Sequence, residues 1–370
     1  MRLRRSRGLV CYWHAGSFIA HAYPHGAPTA LHPAATEVLS AFGDWTDPAE
    51  VNKALEHLTA ETVDEAVEAL REAGLLLAED TEQASRDDRF ARQWGPWDPE
   101  ASFFHYATQD VPYPDEEAQA QETEQESPAL FELFTEYSEA DRIFLPRPLS
   151  TDLRAPYDQV LHGRRTHRDF TEDPVPLSTL ATLLSTTFGP TDFVDCGRCA
   201  LFRRTSPAGG ARQELDAYLA IRNVAGVEPG TYHYNLREHS LELLSEGFTS
   251  EEGAHLCADQ DWAGGAAFLV VLSAVVDRML SKYPTPRCYR VVLINAGHLG
   301  QTFALTATAL GLGPAQTGAF HDTPVADRLG LDNVGRIPLY VLAAGYPHPE
   351  PQDAPPPAEL DTFRRTTLNG

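Results

Sequence analysis

Positive charge is scarce in this sequence of 370 residues. Lys and Arg number 29 against 53 Asp and Glu, which gives a formal net charge of −24. Phosphate backbones and anionic lipids repel a chain this acidic. Nucleic acid and membrane surfaces are therefore not expected as its partners.

Long apolar runs are also missing. None reaches the roughly 18–20 residues that a membrane-spanning helix needs. The basic start, MRLRRSRGLVCYWHAGSFIA, lacks the continuous apolar part of a secretory signal, because His14, Gly16 and Ser17 interrupt it. The sequence therefore predicts a cytoplasmic protein.

Cysteine is sparse as well, and the five cysteines are Cys11, Cys196, Cys199, Cys257 and Cys288. An odd, widely spaced set does not form a disulfide framework. Cys196 and Cys199 make one CxxC pair, but a structural zinc site needs two such pairs or a pair with spaced histidines. We expect free thiols and no metal, with a metal or redox role for the pair as the alternative.

Several common signatures of cofactor binding and catalysis are absent. The sequence has no GxGxxG after a strand, no Walker A motif, no HExxH and no GxSxG. A dinucleotide-binding Rossmann unit is therefore not expected.

Composition divides the chain into residues 1–105, 106–150 and 151–370. The first region has three helical patterns: HPAATEVLSAFGD, PAEVNKALEHL and TVDEAVEALREAG. The third pattern begins with Thr62 as a cap and Glu65 three positions on, as in a capping box, and Gly74 is placed to end it. A short strand, LLLAED, follows. Three short helices with a hairpin are typical of a winged helix.

The first region carries the wrong charge for a DNA-binding winged helix. Residues 31–80 hold twelve acidic residues, and their basic residues are Lys53 and Arg71. Phosphate recognition needs the opposite balance. The sequence favours docking of a peptide or protein, with edge-strand addition as one mode. A purely structural domain is the alternative.

The second region is strongly acidic. Between Asp110 and Asp141 it has eleven acidic residues and no Lys or Arg. Its first half, PYPDEEAQAQETEQESP, is typical of a solvated, flexible linker. Its second half, ALFELFTEYSEADRIF, has apolar residues near helical spacing and predicts a short helix.

The third region alternates helical and strand-like patterns, which predicts an α+β or α/β class. PLSTLATLLSTTFG and YRVVLINAGHLGQTFALTATALGLG predict helices. We expect the second helix to be buried, since it is small or apolar on nearly all sides. AAFLVVLSAV and IPLYVLAAGYP predict buried strands, and TYHYNLREHSLELL predicts a hairpin that turns at residues 235–239.

Arginine is unevenly placed in this acidic chain. RRTHRDF gathers Arg164, Arg165 and Arg168 around Thr166, and LFRRTSPAGGAR places two more arginines before a Gly-rich turn. Guanidinium forks with a hydroxyl suit a phosphate monoester. A Gly-rich backbone lets N–H groups approach a flat or anionic ligand. A solvated helix end and an ordinary turn are the plainer interpretations of the two motifs.

Three motifs in order resemble the flavin-dependent nitroreductase superfamily: RRTHRDF, TSPAGGARQELDAYLAIRNVAGVEPGTYHYN, and INAGHLGQTFALTATALGLGPAQTGAF followed by LGLD. TSPAGGAR, the YHY segment and AGHLGQ resemble the SagB-type azoline dehydrogenases, which oxidise thiazolines and oxazolines in ribosomally made peptides. The resemblance covers residues 152–346. It implies an α+β, nitroreductase-like FMN-binding fold, here preceded by the small winged-helix-like domain. It also implies a homodimer with noncovalent FMN at the subunit interface.

The resemblance implies two sets of residues around the phosphate and the flavin ring. The segment that binds the phosphate and ribityl chain matches Arg164, Arg165, Thr166 and Arg168. The stretch that lies along the flavin matches Ser206, Pro207, Ala208 and Gly209. The family more often has serine at the position of Ala208.

Two further matches come from the C-terminal half of the resemblance. Gly318 and Ala319 match family residues whose backbone N–H groups approach flavin N5. The family often has glycine at the position of Ala319. C-terminal basic residues that reach the phosphate in some members resemble Arg364 and Arg365.

A Lys-Tyr pair before the AGH helix bears on mechanism. Lys282 and Tyr283 match a pair that is associated with catalysis in the azoline dehydrogenases. Aromatising an azoline removes a Cα proton and transfers a hydride from the adjacent carbon to flavin N5. The proton step needs a base with a pKa near neutrality, which burial can give a lysine, and a neighbouring tyrosine can relay or orient. A surface pair at a helix start is the plainer interpretation.

Two histidines receive no catalytic role. His298 lies within the pattern of the buried helix, and we expect it to be a hydrogen-bonded structural side chain. His233 lies in the YHY strand, and the sequence leaves open whether it faces the active cleft.

The sequence thus predicts an FMN-dependent dehydrogenase that oxidises azolines to azoles in a precursor peptide. The first domain would hold the leader of that peptide or a partner enzyme such as a cyclodehydratase. One alternative is another FMN-dependent oxidoreductase, acting on a quinone, a nitroaromatic or a small natural product. The Lys-Tyr pair and the additional front domain favour the peptide. The other alternative is a non-catalytic scaffold, which a colourless protein unable to take up FMN would indicate.

Overall fold

A computed structural model describes residues 1–24, 26–112, 132–148, 153–195 and 200–348 of the chain. The chain forms two compact units, Met1–Tyr113 and Pro114–Gly370. We call them the N-terminal unit and the C-terminal unit.

The N-terminal unit combines short strands with helices. Its strands are β1 (Leu3–Arg5), β2 (Leu9–His14), β3 (Ser17–Ala22), β4 (Thr29–Ala30) and β5 (Leu76–Ala78). Its helices are α1 (Pro33–Ala41), α2 (Pro48–Ala54), α3 (Ala60–Glu72), α4 (Glu82–Trp94) and α5 (Pro99–Ala107). Strands β2, β3 and β4 form an antiparallel sheet, and β1 pairs with β5.

The three predicted helices of this unit are confirmed, but the cap of α3 is not where the sequence placed it. Thr59 is the N-cap, and its side-chain oxygen accepts a hydrogen bond from the Thr62 backbone N–H. The prediction of Thr62 as the cap is wrong, because Thr59 already satisfies a free N–H of the first turn. Gly74 ends the helix as expected, with a left-handed φ of +71°.

The basic N-terminal segment is a strand held by a buried ion pair. Arg4 of β1 donates from Nη1 to Oδ2 of Asp87 in α4 at 2.6 Å, and both side chains are buried. Ser6 donates from Oγ to the same carboxylate at 2.7 Å. A buried charge is tolerated when it is paired in this way. The apolar core beside it includes Leu3, Ala20, Val38, Phe42, Val63 and Leu70.

The C-terminal unit is built on an antiparallel sheet of seven strands, in the spatial order β15-β16-β14-β10-β12-β13-β6 among the described residues. These strands are β6 (Arg142–Phe144), β10 (Leu215–Ile221), β12 (Gly230–Asn235), β13 (Ser240–Glu246), β14 (Phe268–Val275), β15 (Gly313–Thr317) and β16 (Arg336–Gly345). Two small pairs lie outside this sheet: β7 (Val175–Pro176) with β11 (Val224–Ala225), and β8 (Asp192–Asp195) with β9 (Ala200–Arg203).

Helices cover both faces of this sheet. They are α6 (Tyr157–Gly163), α7 (Leu177–Phe188), α8 (Ser250–Leu256), α9 (Asp261–Gly265), α10 (Val276–Leu280), α11 (Cys288–Ala309) and α12 (Asp322–Leu329), with a 3-10 turn at Gly209–Ala211.

The side chains of β10 alternate between the two faces of the sheet, which explains why this unit has three layers: helices, sheet and helices. Leu219 and its like-facing neighbours pack in the core that contains α7 and α11, whereas Tyr218 and Ala220 pack in the core that contains α8, α9 and α12. Successive strand residues point to opposite faces, so a strand with every residue buried needs cover on both sides. The predicted α+β class is confirmed, as are the two long helices, the buried strands β14 and β16, and the β12–β13 hairpin. The expected burial of α11 on nearly all sides is wrong for the single chain, because Leu293 and Ile294 are exposed.

The predicted linker region contributes to the sheet. Residues 142–144 form β6, which pairs with β13, and the described residues 132–148 contain no helix. The described part of the predicted short helix, residues 132–144, is not helical, and its last three residues are extended because they pair with the sheet edge. The remainder of the acidic segment, residues 113–131, lies outside the described residues.

None of the helices in the described ranges combines the length and apolarity that a membrane crossing requires.

Candidate active site

The arginine motif forms an exposed segment beside the edge strand β15. It starts where α6 ends, with Arg164 as the C-cap. Arg165 Nη1 donates to the carbonyls of His162 at 2.8 Å and Arg164 at 2.9 Å. The His167 backbone N–H donates to the Pro314 carbonyl at 2.9 Å, which holds the segment against the start of β15. Thr166 and Arg168 are exposed.

The second predicted motif, Ser206–Gly209, is a loop that rests on α11. Ser206 is buried, and its Oγ lies 2.5 Å from Thr302 Oγ1. The Gly209 backbone N–H donates to Asn295 Oδ1 at 3.4 Å. Gly210 follows with a left-handed φ of +60°. We call residues 206–211 the glycine loop.

The Lys-Tyr pair lies directly against this loop. A Cβ atom on Gly210 would come within 2.8 Å of Tyr283 Oη and 3.0 Å of Lys282 Cδ, so no larger residue fits there without a shift. Lys282 Nζ lies 5.3 Å from the centroid of the Tyr283 ring. Lys282 is exposed in the single chain, so the burial that we expected for a base is not present there.

Beneath the glycine loop is a buried layer of polar groups around a small cavity. Arg204 donates from Nε to the Phe188 carbonyl at 2.7 Å, and burial lowers the pKa of this guanidinium to about 10. Asn295 Nδ2 donates to Glu214 Oε1 at 2.8 Å. Glu214 Oε2 has no hydrogen-bond partner among the described residues, and burial raises the pKa of Glu214. Asn295 thus connects a buried carboxyl to the backbone of Gly209.

The third predicted motif follows β15. The Ala319 backbone N–H donates to Thr317 Oγ1 at 2.9 Å, so this N–H, expected to face the flavin, has a partner within the turn. Gln260 Nε2 donates to the Ala319 carbonyl at 3.0 Å. Gly318 is exposed, and a Cβ atom there would meet nothing within 4 Å.

The structure brings some of these motifs together and leaves others apart. Lys282 and Tyr283 contact the glycine loop, which rests on α11, whereas the arginine segment contacts the start of β15. Arg364, Arg365, Cys196 and Cys199 lie outside the described residues.

Sequence reasoning missed Glu214 and Asn295, because nothing in the sequence pattern marks two distant polar residues as partners. The INAGH motif was the one available signal for Asn295.

The two histidines have clear surroundings. His233 is buried, and its Nδ1 lies 2.8 Å from Glu242 Oε2, so it belongs to a buried polar network and not to an open cleft. Burial alone would raise the pKa of Glu242, but hydrogen bonds with His233 and Asn235 lower it to about 2. His298 is exposed, which contradicts the expectation of a buried residue. Its Nδ1 lies 3.3 Å from the Pro207 carbonyl, as a hydrogen-bonded structural role requires.

Comparison with known proteins places this arrangement in a family. The model of the nitroreductase family matches residues 161–346, half of the chain, and the chain belongs to that family. The Methanocaldococcus jannaschii protein MJ1384, which is named as a nitroreductase, is 30% identical over 188 residues, 51% of this chain and 89% of that protein. A solved structure from Anabaena variabilis, also named as a nitroreductase, has 25% identity and a TM-score of 0.50, and the match covers 65% of this chain and 49% of that one.

Two peptide-processing proteins are also similar over shorter stretches. The trifolitoxin-processing protein TfxB of Rhizobium leguminosarum is 32% identical over 136 residues, 35% of this chain and 36% of that protein. The microcin B17-processing protein McbC of Escherichia coli is 29% identical over 148 residues, 39% of this chain and 54% of that protein. The matches therefore span about a third and about half of these two relatives.

Membership of the family makes FMN the cofactor, and the residues of this chain fit it. The arginine segment offers exposed guanidinium groups and a hydroxyl, which suit a phosphate monoester. The glycine loop and Gly318 expose backbone without bulky side chains, which suits the approach of a flat ring.

Proposed function

We propose that this protein is an FMN-dependent dehydrogenase that oxidises azolines to azoles in a ribosomally made precursor peptide. The observation that carries the proposal is the contact of Lys282 and Tyr283 with the glycine loop, on which the flavin ring is expected to lie. The similarity to two peptide-processing proteins supports a peptide as the substrate.

In this proposal the side chains of the chain handle the proton. FMN, when bound, supplies the acceptor for the hydride that leaves the ring carbon. Lys282 in its neutral amine form accepts the Cα proton at Nζ, and Tyr283 lies beside it, with its ring centroid 5.3 Å from Nζ. The left-handed φ of +60° at Gly210 favours glycine, which has no side chain between the loop backbone and these two groups.

Substitution of Lys282 tests the base. We expect Lys282→Ala to keep FMN and to lose about 10²–10⁴-fold in the rate of dehydrogenation, the usual contribution of a general base. The measurement is the loss of two hydrogens from a synthetic peptide that carries one thiazoline, followed by mass spectrometry. Tyr283→Phe should lose less if Tyr283 only orients Lys282, and a similar amount if it relays the proton.

The chain provides a matched control for this test. It has two lysines, and the other, Lys53, is exposed on α2 of the N-terminal unit. Lys53→Ala should oxidise the thiazoline at the wild-type rate. A Lys282→Ala protein with full flavin content and wild-type turnover would refute the assignment. Reduction of a quinone or nitroaromatic without thiazoline oxidation would favour the alternative oxidoreductase.

We assign the arginine segment to the FMN phosphate. A hydrogen bond from a charged donor contributes about 1.5–3 kcal/mol, so Arg168→Ala should weaken FMN binding about tenfold or more. Flavin fluorescence during titration of the apoprotein measures the affinity. Arg89→Ala, which removes an exposed arginine of α4, should leave it unchanged. Equal FMN affinity in Arg168→Ala and wild type would show that the phosphate binds elsewhere.

We further propose that the protein acts as a homodimer. Helix α11 exposes Tyr289, Leu293 and Ile294, and α6, which contacts it, exposes Tyr157 and Leu161. An apolar helix face without cover is typical of a subunit interface. Two copies that meet through α11 would bring together motifs that remain apart in one chain.

The N-terminal unit is proposed to hold the leader of the precursor peptide or a partner enzyme, such as a cyclodehydratase. Strand β2 is an edge of its sheet among the described residues, and Trp13 on this strand is largely exposed. An exposed edge can accept an added strand. The acidity of residues 31–80 favours a basic or apolar segment of the partner.

A further inference from the structure

A cluster of three potential metal ligands lies outside the proposed active site. His255 is in the last turn of α8, Asp259 follows in the loop before α9, and His321 is the N-cap of α12. His255 Nδ1 lies 3.1 Å from Asp259 Oδ1, and His321 Nε2 lies 3.7 Å from Asp259 Oδ2. The three ligand atoms all lie within 4.8 Å of one another.

These separations suit a small divalent ion. Zinc binds histidine nitrogen and carboxylate oxygen at about 2.0–2.2 Å in a tetrahedral arrangement, so its ligand atoms lie roughly 3.4 Å apart. The separations from Asp259, 3.1 Å at Oδ1 and 3.7 Å at Oδ2, lie on either side of that value. Two imidazoles with one carboxylate form a ligand set that suits zinc and related transition ions better than magnesium or calcium.

The backbone around the cluster is fixed by bonds that do not involve the ligand atoms. The His321 backbone N–H donates to the Leu256 carbonyl at 2.9 Å, which joins the start of α12 to the end of α8. Gln260, next to Asp259, donates to the Ala319 carbonyl at 3.0 Å. Such a frame lowers the cost of ordering ligands when an ion binds.

We propose that His255, Asp259 and His321 bind one zinc-type divalent ion, with solvent at the remaining coordination position. The ion would link α8 to the segment that continues from Gly318 and Ala319. This inference is independent of the proposed dehydrogenase activity, because it concerns a different set of residues and its test measures metal binding.

The N-terminal unit contains a natural comparison. His57 Nε2 lies 3.0 Å from a carboxylate oxygen of Glu37, and both side chains are exposed. This pair has the histidine–carboxylate contact of the cluster, but the described residues supply no third ligand to it. It should not bind zinc at the concentrations that saturate the cluster.

The experiment is a calorimetric titration of the chelator-treated full chain with zinc chloride. Cys196→Ser and Cys199→Ser are introduced into every protein, because thiolates also bind zinc. We expect one saturable site in the micromolar range or tighter. His255→Gln and His321→Gln should each weaken it at least about tenfold, since even residues that only support metal ligands contribute that much. His57→Gln should bind as its parent does.

Folding of the variants is checked without metal. The histidines are 60% and 41% exposed, so their substitution should leave the circular dichroism spectrum and the melting temperature in chelator unchanged. Zinc should raise the melting temperature of the parent and not that of His321→Gln, because ligand binding stabilises the folded state. Cobalt should give the visible absorption of a tetrahedral site in the parent alone. Equal zinc affinity in all variants, or no saturable binding by the parent, would overturn the proposal.

Discussion

At the scale of single residues, the buried carboxyl of Glu214 shows how the fold sets protonation beneath the glycine loop. It is 1% exposed, and one of its oxygens accepts from Asn295, whereas the other has no partner among the described residues. Burial disfavours the charged form, which raises the pKa of Glu214 above that of an ordinary glutamate. The folded protein therefore retains this proton at a pH at which the unfolded chain has lost it.

This difference gives a prediction for Glu214→Gln. Because the folded pKa is raised, the stability that Glu214 contributes is present at low pH and is lost as the pH rises through that pKa. Glutamine cannot ionise and keeps an acceptor for Asn295. The variant should gain stability relative to wild type as the pH rises above the ordinary glutamate pKa of about 4.3, until Glu214 is ionised in the folded protein as well. Urea unfolding at a series of pH values measures this gain.

An exposed carboxylate provides the control for that series. Glu56→Gln, on the surface of the N-terminal unit, should show no such growth of stability with pH. A difference between Glu214→Gln and wild type that stays constant with pH would mean that Glu214 does not change its protonation on folding.

At the scale of elements, α11 presents different faces to its surroundings. One face packs Val292, Leu299 and Phe303 into the core of the C-terminal unit. Another supports the glycine loop through Asn295 and Thr302. The face with Leu293 and Ile294 is uncovered in the single chain. The helix is therefore apolar on more sides than its own unit can bury.

The uncovered face of α11 leads to a test of the dimer. Ile294 is 56% exposed, and Ile294→Glu places a charge on this face, where burial in an interface would be costly. We expect a monomer by size-exclusion chromatography with light scattering, together with weaker FMN retention. Val334→Glu is the matched control, because Val334 is 79% exposed and lies on a loop outside α11. A dimer that persists in Ile294→Glu would place the interface elsewhere.

At the scale of the whole molecule, net charge bears on the choice of partners, and the division into two units bears on which part does what. A net charge of −24 favours basic or neutral partners over acidic ones. The N-terminal unit has its own apolar core and its own buried ion pair, as an independently folded domain does. The family match at residues 161–346 lies entirely in the other unit.

The division predicts the effect of removing residues 1–113. The truncated protein should keep the flavin absorbance and oxidise a short thiazoline peptide, because the family motifs remain. It should lose the preference for a precursor with its leader over the short peptide, and leader binding by the full chain should weaken with salt if charge dominates. Competition between the two substrates, followed by mass spectrometry, measures the preference. Equal preference in the truncated and full proteins would remove the docking role of the N-terminal unit.

The sequence by itself determined the local elements and the family. The spacing of apolar residues predicts α3, α7, α11 and the β12–β13 hairpin, because such patterns depend on residues only a few positions apart. Tertiary structure decided which distant residues meet: Lys282 against Gly210, Asn295 between Glu214 and Gly209, and His321 beside His255. Such contacts depend on the order of strands in the sheet, which no local pattern sets. The tertiary structure also decided that α11 keeps one apolar face uncovered. An apolar pattern in the sequence shows that a surface tends to be buried, but not whether the same chain buries it.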